Sequence, residues 1–402
     1  MNIDQILEKI PLADDYEDER NLINIGTDRF SVFSSTNEHK DVVNNNFDKC
    51  KMNRLHRAME VYCWLVLEKD GIFVSERLKE KYPFSQIMPF ITTNCHNLKE
   101  LLLQFKEFEN QDFENVFYNM CHLEILRIHW QCKNSTLPLT LVKSLEEVRR
   151  TLKELCLSRN QNEKYLGLPD SLALVFPQLI TLNKLKLINF EPSQSLVESI
   201  GEIKNLVHLR FMCSWLNNHS VFDKTINMYP IGNLQHLETL YIDYDCGVTD
   251  EFFINLCNNA KKLKHLDVIG KNITDNGMIA LNNLKQLESL KFNLNGLEKN
   301  DFITDQSVQC LAYEKCEYLH LSNCTCITNR SVVKLFENLP NLKILYVRNT
   351  KVTFKIVTEI LELTKYHKKP IFIYVSFEDR DDIFKSLALS DVFFKSNFNN
   401  EK

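Results

Sequence analysis

The feature that most constrains this chain is a six-residue pattern, L-x-x-L-x-L with other apolar residues substituting, that returns ten times between residues 98 and 347. The copies are Leu98-Leu101-Leu103, Leu123-Leu126-Ile128, Leu152-Leu155-Leu157, Leu182-Leu185-Leu187 and Leu206-Leu209-Phe211. They continue as Leu237-Leu240-Ile242, Leu263-Leu266-Val268, Leu287-Leu290-Phe292, Cys316-Leu319-Leu321 and Leu342-Leu345-Val347. Their first positions lie 24–31 residues apart. Alternation inside the pattern turns its apolar residues to one face of a strand. One such strand cannot bury that face alone, whereas a stack of them can, so self-similarity at this period predicts a repeat array.

The second half of each unit is regular toward the C-terminus. Val248-Thr249-Asp250, Ile273-Thr274-Asp275, Ile303-Thr304-Asp305 and Ile327-Thr328-Asn329 follow successive strands, and Val352-Thr353 begins a fifth copy without the acid. Apolar residues stand four positions after each Thr (Phe253, Met278, Val308, Val332, Val357) and seven after it (Leu256, Leu281, Leu311, Leu335, Ile360). Offsets of three place both on one helical face. The Thr-Asp pair is expected to cap the free N–H groups of the first turn. Each unit therefore reads as strand, turn and helix. The expected fold is an α/β solenoid, with parallel strands on its concave side and helices on its convex side.

The segment Cys316-Glu-Tyr-Leu319-His-Leu321-Ser-Asn-Cys324-Thr-Cys-Ile327-Thr328-Asn329 follows C-x-x-L-x-L-x-x-C-x-x-I-T-D, the pattern of cysteine-containing leucine-rich repeats. The chain resembles that subfamily over about residues 98–375. The match is closest from 237 onward and looser over 137–235, where Pro138, Pro169, Pro177, Pro192 and Pro230 predict irregular connections. The resemblance implies a leucine-rich-repeat horseshoe. Proteins with these repeats often carry an F-box before them, a helical module that docks on a Skp-type adaptor of a cullin ubiquitin ligase. Ile6, Leu7, Ile10, Pro11 and Leu12 resemble the middle of an F-box, I-x-x-x-L-P-x-x-D; its opening L-P-x-E and later V-C-x-x-W have no match here. The resemblance thus implies a substrate receptor of an F-box/cullin ligase. The alternative is an F-box-less repeat scaffold that binds a partner protein directly. A GTPase-activating repeat protein fits less well, because the unit lengths are irregular and no Arg-presenting loop is evident.

Residues 1–48 hold 11 acids and 4 bases, a net −7 that leaves +2 on the rest of the chain, whose total is −5. Asp14-Asp15-Tyr-Glu17-Asp18-Glu19 and the Asn run at 44–46 predict a mobile, solvated segment. Residues 49–97 are expected to form an N-terminal cap, with Val61-x-x-Trp64-x-Val66 as its strand. The array is expected to span 98–375 and to close on the strand at 370–375. A C-terminal cap with a helix over 379–389 would follow, within 376–402.

The odd count of 13 Cys and the absence of an apolar leader suggest reduced thiols in the cytoplasm or nucleus. The sequons at Asn134, Asn218, Asn272, Asn323 and Asn329 would then be silent. No apolar run approaches the roughly 20 residues of a membrane span. With 9 Gly in 402 residues, neither G-x-x-x-x-G-K-[ST] nor G-x-G-x-x-G occurs. Cys310, Cys316, Cys324 and Cys326 lie close together, but only Cys324-x-Cys326 nears the spacing of a zinc site, and Cys316 and Cys324 are explained as repeat positions. Neither a catalytic signature nor a cofactor motif is present, so the expected function is non-catalytic recognition.

That leaves the side chains pointing out of the strands. On the concave face these are Arg127 and His129, Lys184 and Lys186, His208 and Arg210, Tyr241 and Asp243, His265 and Asp267, Tyr318 and His320, and Tyr346 and Arg348. The middle is basic and the C-terminal end aromatic. Tyr and Arg are enriched where proteins bind proteins, and +2 over residues 49–402 is too little for nucleic acid. A protein target is therefore the expected partner, with Arg127, Lys184, Lys186 and Arg210 forming a basic band suited to an acidic or phosphorylated segment.

Overall fold

The computed structural model describes residues 71–74, 88, 91–92, 97–105, 113–130, 139–159, 168, 170–212, 226–244, 246–292, 294, 299–364, 371–377 and 392–395. The N-terminal cap strand expected at 61–66 and the cap helix expected at 379–389 lie outside these residues, as does the whole of 1–48.

Each copy of the pattern forms a strand. They are β2 (Glu100–Phe105), β3 (Ile125–Trp130), β4 (Glu154–Arg159), β5 (Lys184–Ile188), β6 (His208–Met212) and β7 (Thr239–Asp243). Then come β8 (His265–Val268), β9 (Ser289–Phe292), β11 (Tyr318–His320) and β13 (Ile344–Val347). With β1 (Gly71–Val74), β14 (Ile371–Val375) and β15 (Val392–Lys395) they build one 13-stranded sheet in the order β1 to β9, β11, β13, β14, β15. Every pairing is parallel, and the register is that of the repeat: Leu126 opposes Leu155, Leu155 opposes Leu185, and Leu319 opposes both Leu290 and Leu345. A short second sheet pairs β10 (Asn300–Thr304) with β12 (Cys324–Cys326). The strand at 370–375, expected to close the array, is β14, and β15 pairs beyond it.

Between the strands run α1 (Leu139–Glu147), α2 (Asp170–Ala173), α3 (Gln194–Gly201), α4 (Asp250–Asn259), α5 (Asp275–Ala280), α6 (Asp305–Val308), α7 (Asn329–Asn338) and α8 (Ile356–Thr364). Phe253, Leu256, Met278, Leu281, Val308, Leu311, Val332, Leu335 and Ile360 are at most 1% exposed, as are Leu266, Leu290, Leu319 and Leu345 on the strands, and all belong to one continuous core. The architecture is a leucine-rich-repeat solenoid. Packed helices need about 8–10 Å between axes and neighbouring strands only about 4.8 Å, so the helices take the outside of the curve and the sheet its inside. Among the described residues no helix is long and apolar enough to cross a membrane.

The Thr-Asp pair divides its work between two units. Each Thr caps its own helix: the Oγ1 atoms of Thr249, Thr274, Thr304 and Thr328 accept from the backbone N–H of Phe252, Asn276, Gln306 and Arg330. The acid reaches forward instead. Asp250 accepts from Thr274 N at 2.8 Å and Oγ1 at 2.5 Å, Asp275 from Thr304 N and Oγ1 at 2.8 and 2.6 Å, and Asp305 from Thr328 N and Oγ1 at 2.8 and 2.6 Å. Asn329 keeps the ladder running, accepting from Thr353 N at 2.8 Å and donating to its Oγ1 at 2.9 Å. A second ladder uses Asn at the strand ends. Asn189, Asn323 and Asn349 hold φ of 66°, 66° and 54°, the left-handed region that Asn tolerates. Their amides donate to Arg159 O, Leu294 O and Asn323 Oδ1.

Candidate concave recognition face

Because strand side chains alternate, the residues between the buried leucines line up in rows across the sheet. One row runs Arg127, Cys156, Lys186, Arg210, Tyr241, Asp267, Lys291, His320, Tyr346, Tyr374. Next to it runs Ile125, Glu154, Lys184, His208, Thr239, His265, Ser289, Tyr318, Ile344, Phe372. All the expected residues except His129, Asp243 and Arg348 fall in these two rows, but the face differs from the expected one in three places.

First, the basic band is already furnished with anions. Glu154 lies 2.8 Å from Lys184, 3.6 Å from Lys186 and 3.3 Å from Arg127, and Arg127 also pairs with Glu100. Second, Asp243 is 3% exposed, not open, and its neighbours Ile242 and Tyr244 are buried with it. Third, His129, His208 and His320 are poor cations. Burial pushes His129 down, and its Nδ1 lies 2.7 Å from Ser158 Oγ. Burial and then Lys184 push His208 down. Burial takes His320 to about 4, and its Nδ1 contacts Phe292 O at 3.1 Å. His265 is half exposed, 4.0 Å from Glu288.

The aromatic end is more extensive than expected. Tyr318 and Tyr346 have ring centroids 5.6 Å apart, and His320 lies 4.9 Å from Tyr346. Tyr346 and Tyr374 stack 4.2 Å apart with planes 4° from parallel, and Arg348 lies 5.5 Å from the Tyr374 centroid. Tyr374 and the exposed Phe372 come from β14, the expected closing strand, whose outward residues lie outside the leucine pattern and were not among those expected on the face. At the centre, Arg210 sits 4.8 Å from the Tyr241 centroid. Beside it a shallow concavity of about 320 Å³ is lined by Tyr241, His265, Asp267, Ser289, Lys291 and Tyr318. Asp267 pairs with Lys291 at 3.2 Å, and burial still raises its carboxyl above the usual range. Tyr241 and Tyr318 are both raised to about 12, chiefly by burial, so their hydroxyls stay protonated at neutral pH.

Cys316 and Cys324 are fully buried core residues, and burial lifts both thiols to about 12. Among the described residues no group of three or more His, Cys, Asp or Glu could hold a metal ion. The adaptor-docking residues Ile6, Leu7, Ile10, Pro11 and Leu12 lie outside the described residues.

No family model matches the chain, and no curated protein does. Among solved structures, the chain is similar to yeast Rad7 in the Rad7–Elc1 complex, at 19% identity over 71% of each chain with a TM-score of 0.41. It is also similar to a leucine-rich-repeat protein of Leptospira interrogans, at 18% identity over 72% of this chain and 74% of that one, with a TM-score of 0.39.

Proposed function

We propose that the chain is a non-catalytic recognition subunit that presents its concave sheet face to a protein target, and that it serves as the substrate receptor of an F-box/cullin ubiquitin ligase. The observation that carries the recognition step is that one half-exposed face holds Arg210 over Tyr241 and, across the shallow concavity, the neighbouring rings of Tyr318, Tyr346 and Tyr374. These side chains bring large contact area at low conformational cost and are the types that dominate binding energy. The ligase step is supported by the cysteine-containing repeat at 316–329 and by the F-box-like residues 6–14. It is an analogy of family, since a fold hosts many functions.

Affinity purification of the full chain from its native cell tests both steps. We expect a target, a Skp-type adaptor and a cullin to be captured together. Deleting residues 1–48 should remove adaptor and cullin and keep the target, while Tyr346→Ala with Arg210→Ala should do the reverse. A target captured without adaptor or cullin would leave a scaffold in place of a ligase receptor.

A further inference from the structure

The basic band is organised around one acid. Glu154 stands in the third position of the Leu152 copy, opposite Ile125 on β3 and Lys184 on β5. Its side chain is 9% exposed, and three cations approach its carboxylate within 3.6 Å. Burial opposes the charge on Glu154, yet Lys184, Arg127 and Lys186 together hold the carboxyl below its usual range. Arg127 is shared between Glu154 and Glu100. Three cations thus meet two carboxylates, and with Arg210 on the next strand the excess positive charge collects toward Lys184, Lys186 and Arg210. Arg210 has no carboxylate partner among the described residues: its Nε donates to Met212 Sδ at 2.9 Å and its guanidinium lies over Tyr241. His129 and His208, held below their ordinary values, add no charge at neutral pH.

We propose that the face of β4 to β6 takes an acidic segment of a partner protein on Lys184, Lys186 and Arg210, and that Glu154 is a built-in competitor setting how acidic that segment must be. This deepens the recognition reading above and rests on it. A segment with one isolated acid gains little, because Glu154 already neutralises the lysines. Two acids on alternate residues of an extended segment are about 6.6 Å apart, and neighbouring strands about 4.8 Å. One acid can therefore lie over the β5 lysines while the next reaches Arg210 on β6. Charge-assisted bonds to the Arg fork are the strong ones, and they are made only when the second acid is present.

The test uses the full chain and a labelled polyglutamate peptide, with polylysine as control, followed by fluorescence anisotropy at low and physiological salt. Glu154→Gln removes one negative charge a few ångströms from the peptide and should tighten polyglutamate binding about fivefold. Lys186→Glu with Arg210→Glu should weaken it by more than about tenfold, and rising salt should weaken all of it. Circular dichroism and urea midpoints check that each variant is folded, and Glu154→Ala serves if Gln disturbs the band. No tightening in either Glu154 variant overturns the competitor role. Unchanged binding in the double reversal overturns the site. Deletion of residues 1–48 that tightens polyglutamate as much as Glu154→Gln does would make the chain's own acidic segment the occupant, and so overturn the partner. These outcomes are separate from the recognition reading, which fails only if native target capture survives both the double reversal and Tyr346→Ala with Arg210→Ala.

Discussion

Asp275→Ala should weaken the array at one joint between two units. The Asp275 carboxylate accepts from Thr304 N at 2.8 Å, from Thr304 Oγ1 at 2.6 Å and from Ser307 Oγ, all in the following unit. Hydrogen bonds to a charged group contribute roughly 1.5 kcal/mol or more each, so three would give about 4.5 kcal/mol. Asp275 is partly exposed and water replaces some of what is lost, so we expect a loss of about 2–4 kcal/mol. The ladder's own Asn329 supplies the control, since without a charge it accepts from Thr353 N and donates to Thr353 Oγ1. Asp275→Asn should therefore lose under about 1.5 kcal/mol. The assay is urea unfolding followed by circular dichroism.

The pH dependence gives an independent check. Burial alone would raise the Asp275 carboxyl, but the hydrogen bonds from Ser307 and Thr304 outweigh it and hold it below its ordinary value. A carboxylate lowered in the folded state contributes stability that is full above its unfolded pKa, about 3.9, and that is lost as pH falls through the folded value. The gap between wild type and Asp275→Ala should thus be full at neutral pH and close in acid. Equal midpoints at neutral pH, or an Asn variant as damaged as the Ala variant, would refute the ladder as an energetic joint.

Leu266→Ala and Leu319→Ala empty fully enclosed sites on β8 and β11, and each should lower stability by about 2–5 kcal/mol. Hydrogen exchange should show the damage spreading to neighbouring units, because each unit supports the next; damage confined to the mutated strand would argue against the stacking. In an NMR titration His320 should stay neutral down to about pH 4, since its ring is enclosed beside Tyr346. The unfolded chain takes up that proton near pH 6.5, so stability should fall on acidification between those values. An ordinary His titration at that position would mean the aromatic end is open to water.

The repeat was legible because it is a packing rule. Leu101, Leu126, Leu155 and their successors must face one core, and a slip of one residue would expose them all, so spacing alone predicts strand, direction and register. The Thr-Asp motif was half legible. A Thr before a helix announces its cap, but nothing local says that Asp275 bonds to Thr304, 29 residues on. That partner exists only once units are stacked. β15, which pairs beyond the expected closing strand β14, escaped for the opposite reason, as a terminal strand need not keep the leucine pattern.

The concave face was the least legible part, and Glu154 shows why. Arg127, Lys184, Lys186 and Arg210 stand out when each copy is read along the chain, whereas Leu152-Lys-Glu-Leu155-Cys-Leu157 looks unremarkable there. In the sheet that copy lies between the two basic ones, and its acid lies within 3.6 Å of three cations. Core positions are fixed by what one strand must bury, so they can be read one copy at a time. Surface chemistry is set across strands, by residues some 25–30 positions apart that share a row. The sign and strength of a solenoid's face therefore follow from reading the register rows, and on the row of Ile125, Glu154 and Lys184 the middle residue is the acid that pairs with the basic band.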